Sequence, residues 1–347
     1  MTTPPENKLA VQKTPPDSER GAALLTVLLL VAVMSVIAAT ALDRLQLSTR
    51  LATNGAAMTQ ARYYSYAAEA IAMSRIEDLL AREPEQLTLE GGWLDREIPI
   101  PTDRGVATAR IKDANNCFNL NSLVVTPPQQ TGPVSSFANP ASMGQFARLM
   151  TMLQVPENEA QAIAQSAADW IDSDDQPLPS GAEDSHYRGI ENAALPANQW
   201  MADRSELLAV KGMTAAYYAR IAPWVCAVPA AGPTEININT LSPDQAILFA
   251  MLFDGTVSIG DAKAILARRP ANGYGSLVRF WSTPSLAAIN PSAAVQGQVK
   301  LKSRFFQLQL KIRAEDVELE GGALIDATPN GGAVRPYIVS RSWGEPI

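Results

Sequence analysis

The sequence predicts an α+β fold: a long N-terminal helix packed on an antiparallel β-sheet, with a large all-α domain inserted into the sheet. Three observations carry this. An uncharged apolar run at 22–42 passes directly into an amphipathic helical pattern that ends near Arg82. Segments of alternating polarity fall into two groups, at 92–125 and 303–343. Between them, 137–296 reads as a series of short helices. Two strand groups flanking a helical block close into one sheet with the block as an insertion.

Residues 1–20 are polar and carry Pro4-Pro5 and Pro15-Pro16, so they are predicted to lack structure. The run AALLTVLLLVAVMSVIAATAL that follows Gly21 has 21 residues without a charge. As a helix it spans ~30 Å of hydrocarbon. A secretory signal peptide has a shorter apolar run with its small cleavage residue after it, whereas Gly21 stands before this one. Beyond Leu42, Leu45, Leu51, Ala61, Tyr64, Ala68, Ala72, Ile76 and Leu80 recur at helical spacing, and no proline intervenes before Pro84. Gly55 is the expected bend point.

Strand character then sets in. Residues 97–100 and 106–111 (VATARI) alternate, and 118–123 (FNLNSL) does so more weakly. The loop TPPQQTGPVSS at 126–136 reads as a domain boundary. In the helical block, 157–171 keeps Ala160, Ile163, Ala164, Ala167 and Trp170 on one face. Helices at 205–210 and 215–222 flank a Lys211-Gly212 turn, and 242–253 and 260–268 flank a second, longer one. The chain closes with strands at 304–313, 317–326 and 337–341, an antiparallel meander.

Composition removes several functions. The 347 residues contain one histidine, His186, which rules out any site built from two. A catalytic triad has no other base, and its nearest hydroxyl, Ser185, is its sequence neighbour and poorly placed as nucleophile. No Gly-rich phosphate loop is present, and GYG at 273–275 is too short to count. Two cysteines, Cys117 and Cys226, form one disulfide at most. The stretches SELLAVKGMTAAYYARI and ININTLSPDQAILFAM resemble helix-hairpin-helix DNA-binding units. Residues 135–296, however, hold nine Lys/Arg against fifteen Asp/Glu, a net charge of −6. Such a surface repels the phosphate backbone, so no nucleic-acid partner is expected. A membrane-anchored DNA binder remains an alternative reading.

One loop concentrates the acids. Asp169, Asp172, Asp174, Asp175, Glu183 and Asp184 place six carboxylates in 16 residues. With Asp172 at position 1 of an EF-hand-like loop, Asp174, Gln176 and Glu183 fall at positions 3, 5 and 12. Pro177 occupies the position where that motif needs glycine, so the loop is no EF-hand. Taken alone, the cluster reads as a solvated acidic loop. The competing reading is a loop whose two ends supply oxygens to one or two hard cations.

An arginine and a glycine ahead of an uncharged membrane helix that continues as an amphipathic rod resemble the class III signal of type IV pilin-like proteins. The fifth residue after the glycine is Thr26, where most of that superfamily has glutamate. That departure, the unusual length and the helical insertion make the chain similar to the type II secretion system protein K family, the large minor pseudopilins. Five segments resemble that family in order: RGAALLTVLLLVAVMSVIAA, CFNLNSL, DWIDSDDQPLPSGAEDSHY, NQWMADRSELLAVKGM and EININTLSPDQAIL. The third is the most specific.

The resemblance implies a pilin-like fold with five regions. These are a leader at 1–21, a transmembrane helix at 22–42, and the helix extension with first strands at 43–130. An inserted α-helical domain with the acidic loop follows at 131–298, and C-terminal strands at 299–347. It implies cleavage between Gly21 and Ala22 by a prepilin peptidase, methylation of Ala22, and a single-pass place in the bacterial inner membrane with the head in the periplasm. There a Cys117–Cys226 disulfide is allowed and expected, against two buried thiols. It implies calcium at Asp172, Asp174, Gln176, Glu183 and Asp184, with Asp169 and Asp175 secondary. It implies a non-enzymatic tip subunit whose partners are two other minor pseudopilins, the major pseudopilin, the inner-membrane assembly platform and membrane lipid. A minor pilin of a type IV pilus is the other reading.

Overall fold

The computed structural model describes residues 17–103, 105–126, 135–191, 194–230, 232–314, 317–330 and 333–344. The first helix, α1, runs from Asp17 to Arg82. It starts earlier than expected, because the 17–20 segment of the leader is helical. Residues 1–16 of that leader, and 127–134 of the Pro-rich loop, lie outside the described residues. No break occurs at Gly55. The chain divides into two units, Met1–Gln60 and Ala61–Ile347. In the first unit the apolar segment reaches a mean hydropathy of 2.8 over 18 residues with none of that window buried, enough to cross a membrane by length and composition.

In the second unit, five strands form one sheet: β1 (Glu97–Ile100), β2 (Val106–Asp113), β3 (Phe305–Ala314), β4 (Val317–Asp326) and β5 (Tyr337–Trp343). They lie in chain order and every neighbouring pair is antiparallel. β2 pairs with β3 from Val106↔Arg313 to Asp113↔Phe306, so residues 114–304 are inserted between adjacent strands. Period-two alternation sets the inner face: Ala107, Ala109 and Ile111 of β2, and Phe306, Leu308, Leu310 and Ile312 of β3. Ala61, Tyr64, Ala68, Ala72, Ile76 and Leu80 of α1, three or four apart, complete the same core. Burying a side chain the size of Ile76 contributes about 1.5–3 kcal/mol. Glu69, 3% exposed, accepts two hydrogen bonds from Arg341 of β5 (2.8 and 2.9 Å) and fixes the helix to the edge strand.

A second core belongs to the insertion and includes Phe118, Leu120, Leu123, Phe146, Leu149, Ile163, Phe249 and Phe280. Its main helices are α2 (Pro140–Met152) and α3 (Glu157–Asp169). Here the structure differs from the expected extent of the first strand group, which ends at Asp113 and not near 125. Residues 118–125 stay out of the five-stranded sheet. Phe118–Asn119 pairs in parallel with Val225–Cys226, and Val124–Val125 pairs with Phe137–Ala138. Between them Leu120–Leu123 is a 3-10 turn, not a strand, because the Asn119 side chain accepts the Asn121 N–H and starts a helical cap. Cys117 and Cys226 form a disulfide (Cα–Cα 5.8 Å) where the insertion begins.

The two cores meet at a buried polar knot. Asp113, at the end of β2, accepts hydrogen bonds from Thr240 and Ser303 (2.5 Å each) and from the Asn115 N–H (2.9 Å). Burial pushes its carboxyl up, against those donors. Asn237 donates to Leu87 O and to Ser303 (3.3 and 2.8 Å), and Asn116 accepts the Asn237 N–H (2.9 Å). A second anchor lies at the far end of β4, where fully buried Asp326 accepts from Arg304, Thr328 and Tyr337. Burial raises that carboxyl, but those donors outweigh it and hold it at about 2. Its contribution is present above the ordinary aspartate range and fades as pH falls from about 4 to 2. Asp326→Asn is expected to cost about 2–3 kcal/mol at neutral pH, read from denaturant melts. The difference from wild type should shrink toward pH 2.

Candidate metal centre

The acidic loop hangs between two fixed points. α3 ends at Asp169, which is fully buried below an apolar stripe of Ala160, Ile163, Ala164 and Ala167. The Leu178 N–H donates to both Asp169 oxygens (3.2 and 3.1 Å). Gly181 passes so close to that carboxylate that a Cβ there would collide with it. Glycine is therefore required by space in SGAED, not by an unusual backbone angle. One turn past α3, the Asp172 N–H reaches Ala168 O (2.9 Å) and turns Asp172 inward, 3% exposed. Asp174 accepts the Gln176 N–H (2.8 Å), a local turn. Glu183, 3% exposed, precedes the helical turn Asp184–Tyr187.

Folding thus brings Asp172, Asp174 and Glu183 together, with one oxygen of each within 4.8 Å of the others. Asp172 Oδ1 and both Glu183 carboxylate oxygens are buried without a hydrogen-bond partner. Among the described residues, no Lys or Arg forms an ion pair with these three. Burial, then Asp174, Asp169 and Glu183, raise the Asp172 carboxyl to about 8. Burial, then the neighbouring acids, raise Glu183 to about 7. Asp169 rises to about 6 through burial, against the Leu178 and Ala182 amides. Converging oxygens with no nitrogen or sulfur donor are the ligand chemistry that a hard divalent cation takes.

The other sequence-predicted ligands are placed differently. Asp184 is drawn away into an ion pair with Arg188 (2.6 Å). Gln176 is exposed and bonds the centre through its backbone N–H. Asp175 is exposed and accepts from Asn198 Nδ2 (3.4 Å). Asn198 was not foreseen. Its N–H reaches Trp170 O (3.2 Å), its φ is +48°, and its Oδ1 is buried and unpartnered. His186 is exposed, with its ring against Tyr187.

Several basic side chains of the helical block bind its own backbone. Arg148 donates to Met251 O (2.6 Å), Arg204 to Ala222 O (2.5 Å), Arg220 to Gln154 O (3.3 Å) and Arg269 to Ile238 O (3.1 Å). In α1, Gly21 and Ala22 are exposed helical residues, and Thr26 Oγ1 donates to Ala23 O (2.9 Å).

Residues 116–230 and 236–302 match the family described as type II secretion system (T2SS), protein K. Type II secretion system protein K of Aeromonas hydrophila is 35% identical over 291 residues, 84% of this chain and 87% of that protein. The chain belongs to this family. The Pectobacterium carotovorum protein K is 31% identical and covers 94% of this chain and 97% of its own. The crystal structure of the GspK-GspI-GspJ complex from the enterotoxigenic Escherichia coli type 2 secretion system contains a similar chain. The TM-score is 0.70 at 31% identity, covering 83% of this chain and 97% of that one. Membership makes the protein a minor pseudopilin with the pilin-like fold, a component of the secretion machinery.

Without added metal, the raised carboxyls give a definite pH trend. The folded chain retains protons on Asp169, Asp172 and Glu183 at pH values where the unfolded chain has lost them. Stability in a chelator is expected to fall as pH rises from about 5 to 8. Thermal melts across that range check it, and a melting temperature that rises with pH would contradict it.

Proposed function

We propose that this chain caps the tip of the pseudopilus and helps start its assembly, with a calcium-stabilised head on the periplasmic side of the inner membrane. Prepilin peptidase cleaves between Gly21 and Ala22, and Ala22 becomes the methylated N-terminus. The apolar length of α1 supports the single-pass anchor. Ala32, Ser35, Ala38, Ala39 and Thr40 allow close helix contacts in lipid.

The observation that carries the tip assignment is Thr26. A carboxylate at this fifth mature position would need a partner inside the membrane. Thr26 instead gives its hydroxyl to its own helix, so it leaves no charge for a neighbour to meet. The inserted helical block supplies the bulk that ends the fibre. The GspK-GspI-GspJ complex supports two further minor pseudopilins as neighbours. The major pseudopilin lies below them in this proposal, and the assembly platform in the inner membrane. The capped fibre helps to move folded proteins across the outer membrane. A role without catalysis agrees with a sequence whose one histidine, His186, is exposed.

Calcium is the cation that fits the carboxylate centre. Asp172, Asp174 and Glu183 supply charged oxygens, and Asn198, which donates to Asp175 of the same loop, has a buried unpartnered Oδ1. The ion supplies the positive charge that no Lys or Arg among the described residues brings to these carboxylates in an ion pair. Asp169 holds the loop through Leu178 and serves the centre from behind.

Calorimetry on the full chain in detergent is expected to show calcium binding that weakens at least about tenfold in Asp172→Ala and Glu183→Ala. A hundredfold excess of calcium over Kd should add about 2.7 kcal/mol of stability; no heat and no change in melting temperature would refute the metal. Mass spectrometry of membrane-extracted protein should find methylated Ala22 as the first residue. An intact Met1 in assembled material would refute processing.

A further inference from the structure

We propose that Lys211, in the turn of the first helical hairpin, is a positioning residue for the carboxylate centre: it holds the 180–183 segment so that Glu183 faces Asp172 and Asp174. The inference rests on the metal reading above. Lys211 Nζ donates to Gly181 O (2.9 Å) and Ser180 O (3.3 Å), just ahead of Glu183. Its backbone N–H donates to the Tyr187 hydroxyl (3.0 Å). Tyr187 is buried, follows Glu183 by one helical turn, and sets its ring edge-on to Trp170 (5.4 Å). Trp170 in turn lies two residues before Asp172. The next residue, Gly212, has φ +85° and lies against Ile163 of α3, where an added Cβ would come within 3.1 Å of Ile163 Cγ1. The turn therefore rests on α3 and on the returning end of the acidic loop, and reaches the loop's start through Tyr187 and Trp170.

This gives the hairpin a use that its resemblance to DNA-binding units does not suggest. Its amide and its ammonium both face the chain's own loop. The ammonium binds carbonyls and, among the described residues, makes no ion pair with the three carboxylates. Two effects of Lys211 on the centre therefore have opposite signs. As a bare positive charge it opposes a cation. As a brace that sets Glu183 in place, it favours one.

Lys211→Met removes the charge and the brace together, so the sign of its effect shows which of the two governs the centre. The test uses the full chain in detergent at 25 °C, comparing wild type, Lys211→Met and Lys211→Arg. Calcium titration is followed by calorimetry, and hydrogen exchange over 178–184 is measured in a chelator. Lys211→Met is expected to bind calcium about tenfold or more weakly and to exchange faster at 178–184 but not in β2 or β3. Lys211→Arg, which can still donate to both carbonyls, should restore most of the affinity. Equal or tighter binding by Lys211→Met, or unchanged exchange, overturns the proposal. If the wild type takes up no calcium, the metal reading fails on its own. Faster exchange in Lys211→Met then still upholds the brace, and unchanged exchange refutes it. Tyr187→Phe, which deletes only the hydroxyl that receives the Lys211 N–H, replaces Lys211→Met with the same readouts should the latter not fold.

Discussion

Asp172 and Glu183 are buried beside each other, with Asp174 at hand, and no basic side chain among the described residues is paired with them. Placing like charges in a medium less polarisable than water is costly unless they are protonated or met by a cation. The surrounding chain works to keep them there. α3 delivers Asp169 as an internal post, the Leu178 amide ties the loop to it, and Gly181 permits the close pass. The hairpin turn at Lys211 supports the returning segment. An arrangement held from so many sides is hard to reconcile with a loop selected only for solubility. It supports the proposed cation, which takes several oxygen ligands at once.

The same head solves a second problem, which is how to insert a large block between two hydrogen-bonded strands. β2 and β3 pair along their length although residues 114–304 separate them. The insertion leaves and re-enters at one point, closed by the Asp113 knot on the sheet side and by the Cys117–Cys226 bond on the other. Each core is then complete in itself, with one set of apolar residues for helix and sheet and another for the insertion. That division lets a small pilin-like scaffold carry a bulky head without disturbing its own register.

Much of this was legible in the residues. The long helix could be read because its signals are local: a charge-free run, then apolar positions three and four apart. The period-two strands of β2 and β3 were equally plain. The segment after Cys117 was misread, because its alternation is real but its partners, Val225–Cys226 and Phe137–Ala138, lie elsewhere in the sequence. Strands two residues long are decided by tertiary pairing and carry almost no local signature. At the proposed metal centre, the spacing of Asp172, Asp174 and Glu183 anticipated that their carboxylates come together, because one loop holds them all. Asp184 was diverted by Arg188 four residues on, a pairing the sequence does offer. Asn198 and Lys211 enter from distant segments, and no pattern near them announces either.

The central claim is that one divalent cation completes this head. It is tested most directly by diffraction from crystals of the protein grown with calcium, read at the centre itself. The account predicts one strong density peak bonded to Asp172, Asp174 and Glu183 at about 2.3–2.6 Å. A centre in which these carboxylates instead hydrogen-bond to one another, or to a displaced Lys211, with no such peak, would contradict it.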